Sequence, residues 1–191
     1  YLRETTEHAY TLSPQVTTTK DPTTDIHVYV DSDWAGCNRI RKSTSGAVIH
    51  LLGTCIHHFS RTQATIATSS GEAELYGIVK GTTCALGLRS LLEDLGVQVR
   101  LVVNTDASAA LGMVKRRGVG KVRHIEVKEL WIQDKVHSGE VEVRKVKSSE
   151  NLADVLTNYV SQENTQEAMY NMGFEARGSR HELNPLLDVQ R

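Results

Sequence analysis

The sequence predicts an α/β fold: a mixed five-stranded sheet, three antiparallel strands followed by parallel ones, with helices packed on it. Three observations carry this. Apolar runs at 26–30, 47–52 and 55–59 come in close succession; a long helical pattern opens at Ser69; and two further β-type runs are then separated by helical stretches. A meander followed by helix crossovers makes a sheet with both kinds of strand pair.

Residues 1–25 are polar and Thr-rich, with Pro14 and Pro22, and read as a connector. Tyr1 begins mid-pattern without an initiator Met, as expected of a piece cut from something longer. Ile26, Val28 and Val30 alternate with His27 and Tyr29, the two-residue period of a strand with unlike faces. The stretch 33–42 holds Gly36 and Asn38 and turns the chain, and Gly53-Thr54 joins the next two runs as a hairpin. Ser69-Ser70-Gly71-Glu72 matches a capping box, in which a Ser hydroxyl accepts from a free helix amide while Glu72 reaches back. Leu75, Ile78, Val79, Thr82 and Leu86 follow at helical spacing, and Leu91, Leu92 and Leu95 extend it to Gly96, a C-terminal stop.

A strand at 97–103, a short helix at 107–114 and a helix at 125–136 come next, the last ended by Ser138-Gly139. Val141 and Val143 alternate with Glu140, Glu142 and Arg144 as a fifth strand, and an amphipathic piece runs over 163–172. The domain division is a connector at 1–25, the folded unit at 26–160, a C-terminal helix at 161–174 and a loose, disordered tail at 175–191.

The net charge of −1 does not by itself point to nucleic acid, though a basic patch fits within a neutral total. The three cysteines, Cys37, Cys55 and Cys84, show neither C-x-x-C spacing nor even pairing, which argues against a disulfide framework or a zinc site. No run approaches the roughly 18 apolar residues of a membrane span, so the expectation is a soluble chain with no membrane partner. An intracellular setting, in the cytoplasm or the nucleus, is the expectation.

Four acids stand at the edges of these elements: Asp31 ends the first apolar run, Glu74 opens the long helix, Asp106 follows the fourth strand and Asp154 lies in a short helical stretch near the end of the periodic sequence. Gathered at one spot, they form an oxygen-only donor set suited to Mg²⁺ or Mn²⁺. Two such ions about 4 Å apart clamp both oxygens of a phosphodiester displacement. This points to a metal-dependent nuclease.

Each acid has a plainer reading. Asp33 shares the face of Asp31 in an extended chain. Glu72 competes with Glu74, although the capping box gives it a structural task. Asp106 suits a helix N-cap, and Asp154 a helix-dipole role. Lys115, Arg116, Arg117, Lys121 and Arg123, interleaved with Gly118 and Gly120, form the dense basic stretch. It reads either as a solvated loop or as a phosphate contact, with His124 joining it or capping a helix. Trp34 and Trp131 read as core or sheet-edge packing.

The runs Tyr29-Val-Asp-Ser-Asp-Trp-Ala-Gly36, Arg41-Lys-Ser-Thr-Ser-Gly46 and Ser69-Ser-Gly-Glu-Ala-Glu-Leu75, then Lys121-Val-Arg-His-Ile-Glu126 and Asn151-Leu-Ala-Asp-Val-Leu-Thr157, resemble the RNase H domain of copia-type retrotransposon polyproteins. The resemblance runs from about Val28 to Gly173, and Tyr1-Leu-Arg-Glu-Thr5 is similar to the end of the connection segment that follows reverse transcriptase. It implies an RNase H-like fold and a two-metal endoribonuclease cutting the RNA strand of RNA–DNA hybrids. Asp31, Glu74, Asp106 and Asp154 are then the catalytic metal ligands, and the reverse transcriptase domain is a partner in the parent polyprotein. Ser69 and Ser70 sit where relatives contact the RNA 2′-hydroxyl, a position that helix capping explains as well. Two departures stand out. Asn158 occupies a position that is usually basic in the family, and Lys147-Ser-Ser-Glu150 lacks the His that bacterial and retroviral relatives often carry. The competing function is a catalytically silent remnant that binds nucleic acid or serves only as structure.

Overall fold

The computed structural model describes residues 8–10, 24–118, 120 and 130–176. Ile26, Val28 and Val30 are fully buried along strand β2 (Thr24–Ser32), which pairs antiparallel with β3 (Thr44–Leu51). The chain doubles back into β4 (Thr54–Thr62) through Leu52 and Gly53, both at positive φ. The turn centre is therefore one residue earlier than the sequence suggests, because the hairpin geometry needs two consecutive left-handed residues and takes Leu52 as the first.

Helix α1 (Ser70–Asp94) carries the chain to β5 (Val99–Thr105), parallel to β2; α2 (Ser108–Lys115) and α3 (Trp131–His137) lead to β6 (Val141–Lys145), parallel to β5. The sheet order is β4-β3-β2-β5-β6, the mixed five-stranded arrangement expected from the sequence. The sequence pattern starts a helix at residue 125; the described helix spans Trp131–His137, and residues 121–129 lie outside the described residues.

The helix α1 begins and ends on side-chain and backbone logic. Ser69 Oγ accepts from the Glu72 N–H, and the Glu72 carboxylate accepts from Thr68 N and Thr68 Oγ1 at 2.8 and 2.6 Å. At the other end Gly96, at φ +80°, donates to Glu93 O while Val97 N donates to Leu92 O, the paired bonds of a Schellman stop.

One sheet face presents Val28, Val30, Ala47, Ile49, Leu101 and Val103 to Leu75, Ile78, Ala85, Ala110 and Ile132 of the helices. The other face, one residue out of phase, buries Val48 and Cys55 against Ala168 and Met172. Ala168 lies in α4 (Gln162–Asn171). Strand β1 (His8–Tyr10) pairs with β7 (Phe174–Ala176), joining the stretch read as a connector to the stretch read as a tail. Three-residue strands carry no periodicity, so the sequence gives no sign of this pairing. Trp34, read as packing, is 55% exposed, with its indole N–H donating to Ala67 O at 3.2 Å. Among the described residues no helix is long and apolar enough to cross a membrane.

Helix α1 rests on β2 through glycines. A Cβ at Gly81 would stand 2.6 Å from Val30 Cγ1 and 3.2 Å from Val28 Cγ1. Gly81→Ala is expected to lower unfolding free energy by about 1–2 kcal/mol, because overpacking outweighs the gain in helix propensity. Urea denaturation checks this, and an unchanged or raised midpoint contradicts it.

Candidate active site

The parallel strands β2 and β5 end side by side, and the carboxyl ends of such strands are where open α/β sheets hold ligands. Asp31 lies in the last turn of the pleat of β2, and Asp106 directly follows β5. The first turns of α1 bring Glu74 over the same edge. Oxygens of Asp31, Glu74 and Asp106 all lie within 4.8 Å of one another. Asp154, in the 3₁₀ turn Asp154–Leu156, lines the same cleft of about 440 Å³, together with Ser70, Ser148 and Asn158. It stands outside the close triad.

Close approach puts this turn where it is. Gly46, paired with Asp31 across the sheet, leaves room for it: a Cβ there would meet Leu156 Cβ and Thr157 Cγ2 at 2.9 Å. Asn151, 5% exposed, donates to Val30 O at 3.0 Å and ties the segment to β2.

The electrostatics are those of crowded anions. Burial pushes the Glu74 carboxyl up to about 9, the Asp31 and Asp106 charges add to this, and the Ser32 N–H opposes it. Burial also lifts Asp31 to about 6, against the Thr157 hydroxyl that donates to it and with help from Asp106 and Asp154. Glu74 Oε2 is buried with no hydrogen-bond partner. Asn158 Nδ2 donates to Asp154 Oδ1 at 2.7 Å and lies 3.4 Å from Asp31 Oδ2, and Ser148 Oγ donates to Asp106 Oδ2 at 2.5 Å. Neutral donors thus stand where a basic residue and a His were looked for. An orphaned carboxylate oxygen within an all-oxygen donor set fits a hard divalent cation.

The alternative acids are otherwise engaged. Asp33 lies past the end of β2, where its Oδ1 accepts from Thr44 N at 2.5 Å and holds the loop closed. Glu72, 1% exposed, accepts from Thr68 and from Tyr76 Oη at 2.6 Å. Ser69 is the helix cap, whereas Ser70 is exposed on the cleft. Lys115 and Arg117 are exposed around the end of α2, and Arg116 is half-buried. Gln133 closes the loop after them, accepting from Gly118 N at 2.8 Å and donating to Met113 O at 2.8 Å. Lys121, Arg123 and His124 lie outside the described residues. Sequence reasoning assigned no role to Thr157, Ser148, Asn151 or Gly46; all but Ser148 fall within the quoted motifs, which was the available signal.

No family model matches the chain. It is 32% identical over 134 residues, 69% of its length, to the retrovirus-related Pol polyprotein from transposon TNT 1-94 of Nicotiana tabacum. It is 29% identical over 164 residues, 84% of its length, to that from transposon RE2 of Arabidopsis thaliana. The matches cover 10% and 11% of those two relatives, so the chain spans about a tenth of their length. Among solved structures, the N-terminal RNase H domain of a Mycobacterium tuberculosis protein, determined as a fusion with maltose binding protein, aligns with a TM-score of 0.51 at 18% identity, covering 76% of this chain and 99% of that one. The sheet order and helix placement described above are thus those of the RNase H fold, and the chain's homologues are copia-type transposon Pol polyproteins.

Proposed function

We propose that the chain is a ribonuclease H: a metal-dependent endonuclease that hydrolyses the RNA strand of RNA–DNA hybrids during retrotransposon reverse transcription. The observation that carries this reading is the convergence of Asp31, Glu74 and Asp106 within 4.8 Å at the carboxyl edge of the sheet. These three, with Asp154 across the cleft, would hold two Mg²⁺ ions, or Mn²⁺ in their place. When bound, the ions supply a water activated at neutral pH and charge stabilisation for the departing oxygen.

The chain's own groups do the rest. Thr157 and Asn158 orient the Asp31 and Asp154 carboxylates, and Ser148 orients Asp106. Ser70, with Ser69 behind it as the helix cap, faces the side where a 2′-hydroxyl would distinguish RNA from DNA. Lys115, Arg116 and Arg117, with Lys121, Arg123 and His124, form the phosphate-contacting stretch, which adds affinity without sequence choice. In the parent polyprotein, residues 1–25 end the connection from the reverse transcriptase domain, 26–160 are the nuclease unit, 161–174 its C-terminal helix and 175–191 a tail. The reverse transcriptase domain is then the partner that shares the hybrid.

Incubation of the chain with an RNA–DNA duplex labelled on either strand tests the reading. With Mg²⁺ the RNA strand is expected to be cut internally, the DNA strand to stay whole, and EDTA to stop the reaction. Retention of hybrid in a mobility shift with no cutting at any Mg²⁺ or Mn²⁺ concentration would instead mark a silent remnant.

A further inference from the structure

A single buried amide bridges the residues next to two of the site's carboxylates. Gln63, 8% exposed, directly follows β4 and is remote from the four acids in sequence. Its Nε2 lies 3.0 Å from Ser32 Oγ, 2.8 Å from Ser45 Oγ and 2.9 Å from Ala73 O. Its backbone N–H donates to Ser43 O at 2.7 Å, which fixes the root of the side chain. Ser32 is the neighbour of Asp31, Ala73 is the neighbour of Glu74, and Ser45 is the register partner of Ser32 on β3. Ser32 Oγ donates to Asp33 O, so it is left to accept from Gln63. The Ser32 N–H also lies against both the Asp31 and Glu74 carboxylates.

The amide orientation is fixed: Ala73 O can only accept, so the NH₂ end must face it, and Oε1 is left buried without a partner. A side chain that leaves its own acceptor unsatisfied while its two N–H groups face acceptors on three elements is placed by those three. Close packing of α1 on β2 at Gly77, where a Cβ would stand 3.4 Å from Asp31 O, leaves little slack between the two carboxylate-bearing segments.

We infer that Gln63 is a positioning residue: its amide ties the Ser32 hydroxyl to the Ala73 carbonyl and so sets the spacing of Asp31 and Glu74 for a divalent cation. This rests on the metal-dependent reading of the site. Such supporting contacts hold metal ligands in register, and their loss weakens metal affinity about 10- to 100-fold.

The test is calorimetric titration of Mg²⁺ into the whole chain without substrate, alongside kcat and KM on hybrid. Gln63→Met keeps the length of the side chain and removes the donors. It is expected to weaken Mg²⁺ binding about tenfold or more, with kcat reduced and KM for hybrid nearly unchanged. Ile132→Val, a core truncation in α3 remote from these contacts, gives the measure of destabilisation alone and is expected to leave Mg²⁺ affinity at the wild-type value. Ser32→Ala removes one of the three acceptors and is expected to weaken Mg²⁺ binding several-fold, about half a decade; it serves where Gln63→Met does not fold. Wild-type Mg²⁺ affinity in Gln63→Met, or in Ser32→Ala where it alone folds, overturns the assignment of Gln63, as does an equal loss in Ile132→Val. A wild-type chain that neither binds Mg²⁺ nor cuts hybrid overturns the metal site itself, and Gln63's role with it.

Discussion

Asp31→Asn is expected to lower the rate of hybrid cleavage by about a thousandfold or more while leaving the fold at least as stable as the wild type. The substitution removes a charge and keeps the shape. Asp31 is 5% exposed, and the Thr157 hydroxyl that donates to its Oδ2 can donate equally to an amide oxygen. Burial and the neighbouring Asp106 and Asp154 charges raise its carboxyl to about 6. At neutral pH the ionised form is therefore held against its preference, and an amide relieves an unfavourable contribution on the order of 1–3 kcal/mol. Catalysis loses a charged ligand that an amide oxygen does not replace. Multiple-turnover assays with urea unfolding of the same preparation separate the two effects. Wild-type cleavage by the variant contradicts the assignment of Asp31, and collapse of the fold contradicts the account of its charge.

The metal-free chain is expected to lose stability as pH rises from about 6.5 to about 9, the reverse of what paired carboxylates produce. The sign follows from the raised values. Glu74 has an ordinary carboxyl value of 4.5 and a folded value of about 9, so folding favours its protonated form. Its contribution is fully present below 4.5 and is lost as pH rises through about 9; for Asp31 the corresponding window is 3.8 to about 6. At pH 7 the Glu74 effect alone amounts to roughly 3 kcal/mol of lost stability. Asp25, Glu140 and Glu142 are held low by their Arg and Lys partners, and they act in the opposite sense only in acid. Burial lowers His27 and takes His50 down to about 4, so both also act in the opposite sense, but only below the ordinary His value of 6.5. Millimolar Mg²⁺ is expected to reverse the alkaline loss by binding the folded form. Glu74→Gln is expected to flatten the pH dependence, to raise the metal-free Tm at pH 8 and to abolish cleavage. Thermal scans from pH 6.5 to 9, with Mg²⁺ and with EDTA, read all of this. A metal-free Tm that climbs across that range contradicts the electrostatics described for the cleft.

The parts of this molecule that repeat at short range could be read before any coordinates. The alternation of Ile26, Val28 and Val30 marks the central strand because one sheet face is buried, and the Ser69 cap with Glu72 marks the start of α1 because free helix amides need acceptors. The mixed five-stranded sheet, antiparallel strands first and parallel ones after, followed from the order of elements along the chain. What escaped reading depends on where the chain bends and on contacts far apart along it. Asp33 shares a face with Asp31 only while the strand continues, and β2 ends at Ser32, so Asp33 closes a loop instead. The hairpin turn fell one residue earlier because Leu52, not a residue typical of left-handed backbone, adopts it. Thr157 and Asn158 reach Asp31 across 126 and 127 residues, and Gln63 reaches Ser32 across 31, separations that no local pattern records. The antiparallel contact of His8–Tyr10 with Phe174–Ala176 is too short to leave a periodic trace.

Proton release on cation binding probes the carboxylate cluster at its source. Mg²⁺ titrated into the metal-free chain at pH 7, in two buffers of different ionisation enthalpy, is expected to bind saturably and to expel about one proton, chiefly from Glu74, since an ion and a proton compete for the same oxygens. Asp31→Asn is expected to abolish that uptake. Heats no larger than dilution for the wild type, or binding without proton release that Asp31→Asn leaves untouched, would contradict a metal centre at this edge of the sheet.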